Sequence, residues 1–561
     1  MSTEPRTPKA SPANPPEEDE APASGDPGAS NPEASGADSS SEPPPPPSSG
    51  DRFPPRFRLS KGAAIVFGLA LPALFCAVNM WRVRSFTIDD AYISYRYAKN
   101  LARGLGLVYN AGERIEGYTN FLWTLILAGG IRIGLDPDIV AKVLGGLSAI
   151  GALGFTYLLA ERFKPYELLP CVATWLLASS MVFSGYAVFG LETSFFLFLI
   201  LAGSWLFFRE SDAAAAASKA PAGDRRPFLR ALPFSGLVFG LAGITRPEAP
   251  MYIGVLMLFL GRRFFSAQNI LRGALFVLPV AAHVLWRHSY YGTWLPNTLS
   301  AKTGDLNAQI GWGWDYFQRY AVTVGPVLYL AIFGVVLGFV ARRRDVLAFA
   351  AIAVLVAGYI TLVGGDWMPV YRFASPFEPF AFLLIDLAAR DIVDRRSRIA
   401  TLAIAGFAIA VVAYRAGSLE SARKTILSED RVWRQRTEGT AGFLLQRNQP
   451  GTLALGDIGY VGYATDYPIL DLLGLVDPVI SKLPGAYTWK VGPGFTDRLF
   501  DVAPKYVLII SRTMSCDQPS VTGSRVIYQD KRFRQQYYLP PGAAVPVGGG
   551  YAWCLFERKA N

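Results

Sequence analysis

Apolar residues in this chain are gathered into stretches of about 17 to 25, the length at which a helix rising 1.5 Å per residue crosses roughly 30 Å of hydrocarbon. Twelve candidate segments, eight of them of that length and four of 14 to 16 residues, can be placed near residues 62–82, 121–135, 138–161, 167–187, 192–209, 230–245, 248–261, 270–289, 322–341, 345–363, 373–388 and 398–416. With 51% hydrophobic and only 17% charged residues in 561, one large soluble core is excluded and a lipid bilayer is the expected solvent. The expected fold is an all-α polytopic membrane domain.

The 54 Lys and Arg exceed the 44 Asp and Glu, but they sit in short clusters between apolar segments. That pattern points to positive-inside anchoring and away from nucleic-acid binding. Arg225-Arg226, Arg262-Arg263, Arg342-Arg343-Arg344 and Arg395-Arg396 are expected on the cytoplasmic side, as is the N-terminus, whose first apolar stretch follows Arg52, Arg56, Arg58 and Lys61. Residues 1–58 are rich in Pro, Ser, Gly and acidic residues and read as a disordered cytoplasmic tail with no cleavable signal peptide. Four apolar segments then separate the first outside loop from the cytoplasmic loop at 210–229, where an odd number is required. One segment between 121 and 187 is therefore expected not to span, the region around Gly129, Gly130, Gly145 and Gly146 being the first suspect, which leaves about eleven crossings.

Hydrophobicity falls after Tyr414, so a membrane domain over 59–417 is expected to give way to a C-terminal, extramembrane, mixed α/β domain over 418–561. The runs Tyr506-Val507-Leu508-Ile509-Ile510 and Val526-Ile527-Tyr528 read as strands of that domain. Counting crossings places it outside the cytoplasm, where Cys516 and Cys554 are expected to form a disulfide. Cys76 and Cys171 fall in apolar segments.

The first outside loop, 83–120, carries adjacent carboxylates at Asp89 and Asp90, followed by Arg96, Arg114, Glu116 and Tyr118. A carboxylate there can take the proton of an attacking hydroxyl, while guanidinium groups suit phosphate oxygens. Either Asp can equally cap the helix expected to start near Ala91. Further polar clusters fall at predicted crossing ends on the same face: Glu192, Arg246 with Glu248, Asn297 with Lys302, and Asp366-Trp367 with Arg372. Each alone reads as interfacial anchoring; together they point to one shared site. The two histidines, His283 and His288, make a His-rich zinc site improbable, and any metal would be a divalent Mg, Mn or Ca on Asp89 and Asp90.

Asp89-Asp90-Ala91-Tyr92-Ile93-Ser94-Tyr95-Arg96-Tyr97-Ala98, Glu116-Gly117-Tyr118-Thr119-Asn120, Gly190-Leu191-Glu192-Thr193, Thr245-Arg246-Pro247-Glu248, Leu295-Pro296-Asn297-Thr298, Gly364-Gly365-Asp366-Trp367, Gly456-Asp457-Ile458-Gly459-Tyr460 and Asp471-Leu472-Leu473-Gly474-Leu475 occur in that order. Together they resemble the polytopic GT-C glycosyltransferases related to the mycobacterial terminal arabinofuranosyltransferase, over most of residues 60–500. The resemblance implies a polyprenyl-phosphate sugar donor, a cell-envelope glycan acceptor, inversion at the anomeric carbon and a catalytic carboxylate at Asp89 or Asp90, with Asp89 favoured as base. Arabinofuranose is the leading sugar, and the bacterial inner membrane, with the site on its extracytoplasmic face, the expected location. Two rival readings are a lipid-linked sugar transporter, which should place charge near the bilayer midplane, and a non-catalytic membrane factor of the flagellar motor-control kind.

Overall fold

The computed structural model describes residues 59–163, 169–217, 231–340, 343–395, 398–485, 490–547 and 550–560. The expected tail over 1–58, Arg225-Arg226, Arg342 and Arg396 lie outside the described residues. What is described is mainly helical. Among these residues five helices are long and apolar enough to cross a membrane, Lys61–Val83, Pro137–Phe163, Thr193–Ala217, Ala267–Tyr291 and Leu402–Arg447, or six if the bent pair Leu306–Val324 and Pro326–Val340 is one span. Side chains such as Leu74, Leu278 and Val340 are more than 60% exposed, which is what a lipid solvent allows and water does not.

The remaining apolar segments fold as shorter or broken helices. Phe121–Arg132 and Phe234–Thr245 are 12 residues each, about 18 Å of helix, well short of the hydrocarbon thickness. The 167–187 segment breaks into Val172–Ala178 and Met181–Tyr186, because Ser180 turns its hydroxyl to the Phe183 N–H and starts a second helix. Of the glycine-rich region expected not to span, Gly129 and Gly130 lie in the 12-residue helix Phe121–Arg132, while Gly145 and Gly146 lie inside the 27-residue helix Pro137–Phe163, which is long enough to cross. Gly145 is there for contact: a Cβ at this position would lie 2.2 Å from the Ala187 carbonyl oxygen.

The expected domain boundary at 417/418 falls within one uninterrupted helix, Arg398–Arg447. At 1.5 Å per residue its 50 residues reach about 75 Å, so the fall in hydrophobicity marks the point where a helix leaves the apolar layer rather than where it ends. Beyond it lies a six-stranded mixed sheet. Strand β1 (Leu453–Leu455) pairs in parallel with β2 (Ile469–Asp471) and β3 (Tyr506–Ser511), while β6 (Ala552–Arg558) runs antiparallel to β3 and carries β4 (Tyr537–Tyr538) and β5 (Ala544–Pro546). The predicted strand at 506–510 is therefore present as β3. Val526-Ile527-Tyr528 is not a strand but part of the helix Thr522–Gln529. Its buried residues Gly523, Ser524 and Ile527 follow the three-to-four spacing of a helix face, and three β-formers in a row are too few to override it.

Cys516, in the turn after β3, is bonded to Cys554 on β6, with Cα atoms 5.9 Å apart. The bridge ties a loop of 38 residues, for which chain entropy gives roughly 4 kcal/mol. Replacing both cysteines with serine is expected to lower the thermal midpoint of the C-terminal domain by several degrees and to make it independent of dithiothreitol. A midpoint unchanged by the substitution would show that the bridge adds nothing.

Candidate active site

The helix Asp89–Ala102 opens with two carboxylates in its first turn, where they complement the partial positive charge of the helix N-terminus. Neither caps it, since Ile88 occupies the N-cap. Successive residues on a helix point about 100° apart. Asp89 and Asp90 therefore face different neighbours.

Asp89 is buried and accepts two backbone N–H bonds, from Gly459 at 2.8 Å and Tyr460 at 2.7 Å. It thus caps, from a distant part of the chain, the helix Gly459–Thr465, whose own N-cap Ile458 offers no side-chain acceptor. The approach requires glycine: a Cβ on Gly459 would fall 2.0 Å from the Asp89 carbonyl oxygen, and one on Gly462 2.1 Å from the Tyr109 hydroxyl. Burial pushes the Asp89 carboxyl up to about 7, with Asp457 adding to the rise and the Tyr460 N–H opposing it.

Asp90 instead lines a cavity of about 400 Å³. The same cavity is lined by Glu192, Arg246, Lys302 and Arg372, brought in by four separate segments. Arg246 precedes Pro247 and is driven to an extended backbone (φ −152°, ψ 139°), which ends the helix Phe234–Thr245 and turns the guanidinium out of it. Arg372 follows Val370 and Tyr371, both held at positive φ (55° and 59°), a strained arrangement of order 1–2 kcal/mol per residue. Lys302 ends the short helix Asn297–Lys302. Glu192 stands just ahead of the helix Thr193–Ala217 and receives 2.6 Å bonds from both Arg246 and Arg372, and a 2.8 Å bond from Asn120.

The two cavity carboxylates are pushed in opposite directions. Burial raises Asp90 above the ordinary carboxylate range, with Lys302 and Arg372 pulling it part of the way back. Burial acts the same way on Glu192, but Arg372 and Arg246 outweigh it and hold the group at about 2. Of the two, Asp90 is therefore the carboxylate that takes up a proton more readily, and Glu192 the one held as a negative charge. Burial also lowers the Lys302 ammonium, against the pull of Asp90.

Tyr118 lines the cavity as well, its hydroxyl 3.2 Å from that of Tyr291. The other residues singled out from the sequence do not line it. Arg96 laces the loop to the C-terminal region, donating to the carbonyls of Tyr109, Gly462 and Tyr467 at 2.8, 2.9 and 2.8 Å. Asn297 donates to the carbonyls of Gly474 and Leu475 at 2.8 and 2.9 Å. Exposed Arg114 lies over the Tyr290 ring at 4.8 Å. Glu116 pairs with Arg287 at 2.6 Å, and Glu248 pairs with Arg246. Burial pushes the Asp366 carboxyl up to about 6, with Arg372 pulling it part of the way back. Trp367 is 58% exposed and stacks on Trp433 at 6.2 Å.

Arg287 and His283 also line the cavity and were missed. Their signal was present: two polar side chains four apart, one turn of helix, inside the apolar stretch 270–289. Each Asp89 oxygen already accepts one backbone N–H bond, whereas Asp90 faces the cavity. Among the described residues no three His, Cys, Asp or Glu side chains gather in a metal-binding arrangement.

Residues 429–556 match a family described only as a domain of unknown function, DUF8728. Two curated relatives carry the name terminal β-(1→2)-arabinofuranosyltransferase. That of Corynebacterium glutamicum is 30% identical over 348 residues, covering 56% of this chain and 49% of the relative. That of Mycobacterium tuberculosis is 31% identical over 278 residues, covering 46% and 42%. The chain thus spans about half the length of the curated relatives it matches or less. Among solved structures, ArnT of Cupriavidus metallidurans in the apo state superposes with a TM-score of 0.53 at 12% identity over 87% of this chain and 98% of that one. The same enzyme bound to undecaprenyl phosphate gives 0.50 at 11% over 89% and 98%. The oligosaccharyltransferase AglB of Archaeoglobus fulgidus, in complex with an inhibitory peptide and a dolichol-phosphate, gives 0.51 at 12% over 79% and 69%. The chain accordingly has the fold of these solved glycosyltransferases, with several helices apolar and long enough to cross a membrane, and over about half its length it is similar in sequence to the terminal arabinofuranosyltransferases.

Proposed function

We propose that this protein transfers a sugar, arabinofuranose as the leading assignment, from a polyprenyl-phosphate carrier to a hydroxyl of a cell-envelope glycan. The observation that carries this reading is the meeting of Asp90 with Arg246, Lys302 and Arg372 around one cavity. In the step, the acceptor oxygen bonds to the anomeric carbon while the bond from that carbon to the phosphate oxygen breaks. Asp90 takes the acceptor's proton, and the phosphate keeps the bonding electrons and departs as an anion on its lipid. Fixed cations stabilise the charge that grows on the leaving oxygen, so no acid has to protonate it. A single displacement of this kind inverts the anomeric centre. In this reading the N-terminus is cytoplasmic and the first apolar helix, Lys61–Val83, crosses the bilayer, so the cavity faces the extracytoplasmic side; the Cys516–Cys554 bridge supports that side.

Purified protein in nanodiscs, given a panel of radiolabelled polyprenyl-phosphate sugars with arabinofuranosyl oligosaccharides, is expected to move label from one lipid donor to the glycan. Absence of transfer from every donor would overturn the reading. The rate should rise with pH as Asp90 loses its proton, with an acid limb above the ordinary carboxylate range because burial raises the group. Lys302→Met removes one of the charges that pull Asp90 down, so the limb of the kcat profile at saturating donor should move to higher pH. A limb that stays put or moves down would separate Asp90 from the titration.

A further inference from the structure

Outside the cavity, a second group of aromatic and polar side chains lies between the long helix Arg398–Arg447 and the sheet. Arg436 sits with its guanidinium carbon 3.8 Å from the ring centre of Trp433 and 4.7 Å from that of Trp553 on β6, and it reaches Asp457 at 3.8 Å. Trp433 in turn stacks on Trp367 at 6.2 Å with ring planes 27° apart. The group is open at one end and closed at the other. Trp367 is 58% exposed and Trp553 1%, while the side chains of Arg436 and Asp457 are 18% and 30% exposed.

Three donors in this group, Trp433 Nε1, Trp553 Nε1 and Arg436 Nε, are buried and find no hydrogen-bond partner among the described residues. An unmet buried donor costs about 1–3 kcal/mol, so a guanidinium N–H and two indole N–H groups gathered together call for acceptor oxygens. A phosphate would supply them, but the carboxylates of Asp457 and Asp89 act on Arg436, with Asp90 beside Asp457, and disfavour an anion. A neutral polyhydroxylated ligand meets every demand. Its ring and hydroxyl oxygens accept from the indole and guanidinium N–H groups, its hydroxyl hydrogens donate to Asp457, and its C–H face packs on the exposed Trp367 ring.

Position narrows the occupant further. Asp457 interacts electrostatically with both Asp89 and Asp90, while Trp367 follows Asp366 in the turn that leads to Arg372. None of Trp433, Arg436, Asp457 and Trp553 lines the cavity that holds Arg246, Lys302 and Arg372. The two groups share Asp90 as their neighbour. A displacement at the anomeric carbon brings the nucleophile from the side opposite the leaving group, so phosphate cations and an acceptor platform belong on different sides of the base.

We propose that Trp367, Trp433, Arg436, Asp457 and Trp553 form a saccharide subsite that holds the acceptor glycan and delivers its hydroxyl to Asp90. The assignment rests on the glycosyl-transfer reading above. Its test uses the full chain in nanodiscs and a synthetic arabinofuranosyl tetrasaccharide, followed by saturation-transfer NMR and titration calorimetry. Wild type is expected to bind the tetrasaccharide, and Trp367→Ala and Trp433→Ala to weaken it at least tenfold while decaprenyl-phosphate affinity is unchanged. In transfer assays the same variants should raise the acceptor KM and leave the donor KM alone. Trp367 is exposed enough that its removal does not threaten the fold, and thermal melting checks Trp433→Ala. Equal binding in wild type and both variants, or no binding to wild type, overturns the subsite. A wild type that binds through these tryptophans but transfers nothing sinks the transfer reading and leaves the subsite standing. Transfer with an unaltered acceptor KM in both variants does the reverse.

Discussion

Asp90→Asn is expected to lower the transfer rate by about 10² to 10⁴, the range a general base supplies, with a thermal midpoint close to that of wild type. Asp90 lines the cavity and is linked to the fold by no backbone bond of its carboxylate, so amide for carboxylate removes proton acceptance and little else. Asp89→Asn should show the opposite pattern. The Asp89 oxygens receive the N–H groups of Gly459 and Tyr460, and an asparagine would turn its own NH₂ toward one of them. Leaving one buried N–H unpaired costs about 1–3 kcal/mol, to be read as a lower melting point and faster proteolysis of the C-terminal domain. Any loss of rate in Asp89→Asn should then be recovered on cooling or by a stabilising second change. The assignment of roles would be reversed by a stable Asp89→Asn protein without activity beside an active Asp90→Asn protein.

That reversal of emphasis between neighbours shows where a sequence stops being informative. Adjacent carboxylates just after an apolar stretch are visible in the chain, and so is the choice between capping and catalysis. Which residue takes which role depends on where Gly459 docks, 370 residues further on. The polar groups at segment ends were legible for a related reason: charge beside hydrocarbon is costly, so Glu192, Arg246 and Arg372 stand out against their surroundings and do share a cavity. Arg287 stood out equally, but it lies with Arg272 inside a segment read as a crossing, away from the segment ends where the polar clusters were sought. Crossing number is harder still. Hydropathy sums over a window and does not register the break at Ser179-Ser180 or the 98° bend after Val324. Gly145 illustrates the converse, a helix-weakening residue retained because another part of the chain packs against its bare Cα.

Glu192→Gln is expected to destabilise the protein by about 3–5 kcal/mol, the usual result of removing one partner from a buried ion pair. Arg246 and Arg372 both bond to Glu192 at 2.6 Å, and both are largely buried, so the substitution leaves Arg246 with Glu248 as its carboxylate partner and Arg372, among the described residues, with none. A purely structural cluster would end there. If the arginines also hold the carrier phosphate, that anion restores part of the charge that Glu192 supplied. Decaprenyl phosphate should then raise the melting point of Glu192→Gln by more than it raises that of wild type, since a ligand stabilises the folded state in proportion to how tightly it binds there. Donor affinity should rise in the variant while the transfer rate falls, because a phosphate held by two uncompensated arginines is stabilised in the ground state as well as at the transition state. A smaller ligand-induced shift in Glu192→Gln than in wild type would show that the arginines serve Glu192 alone, and would move the phosphate site to Lys302 and Arg287, the other cations lining the cavity.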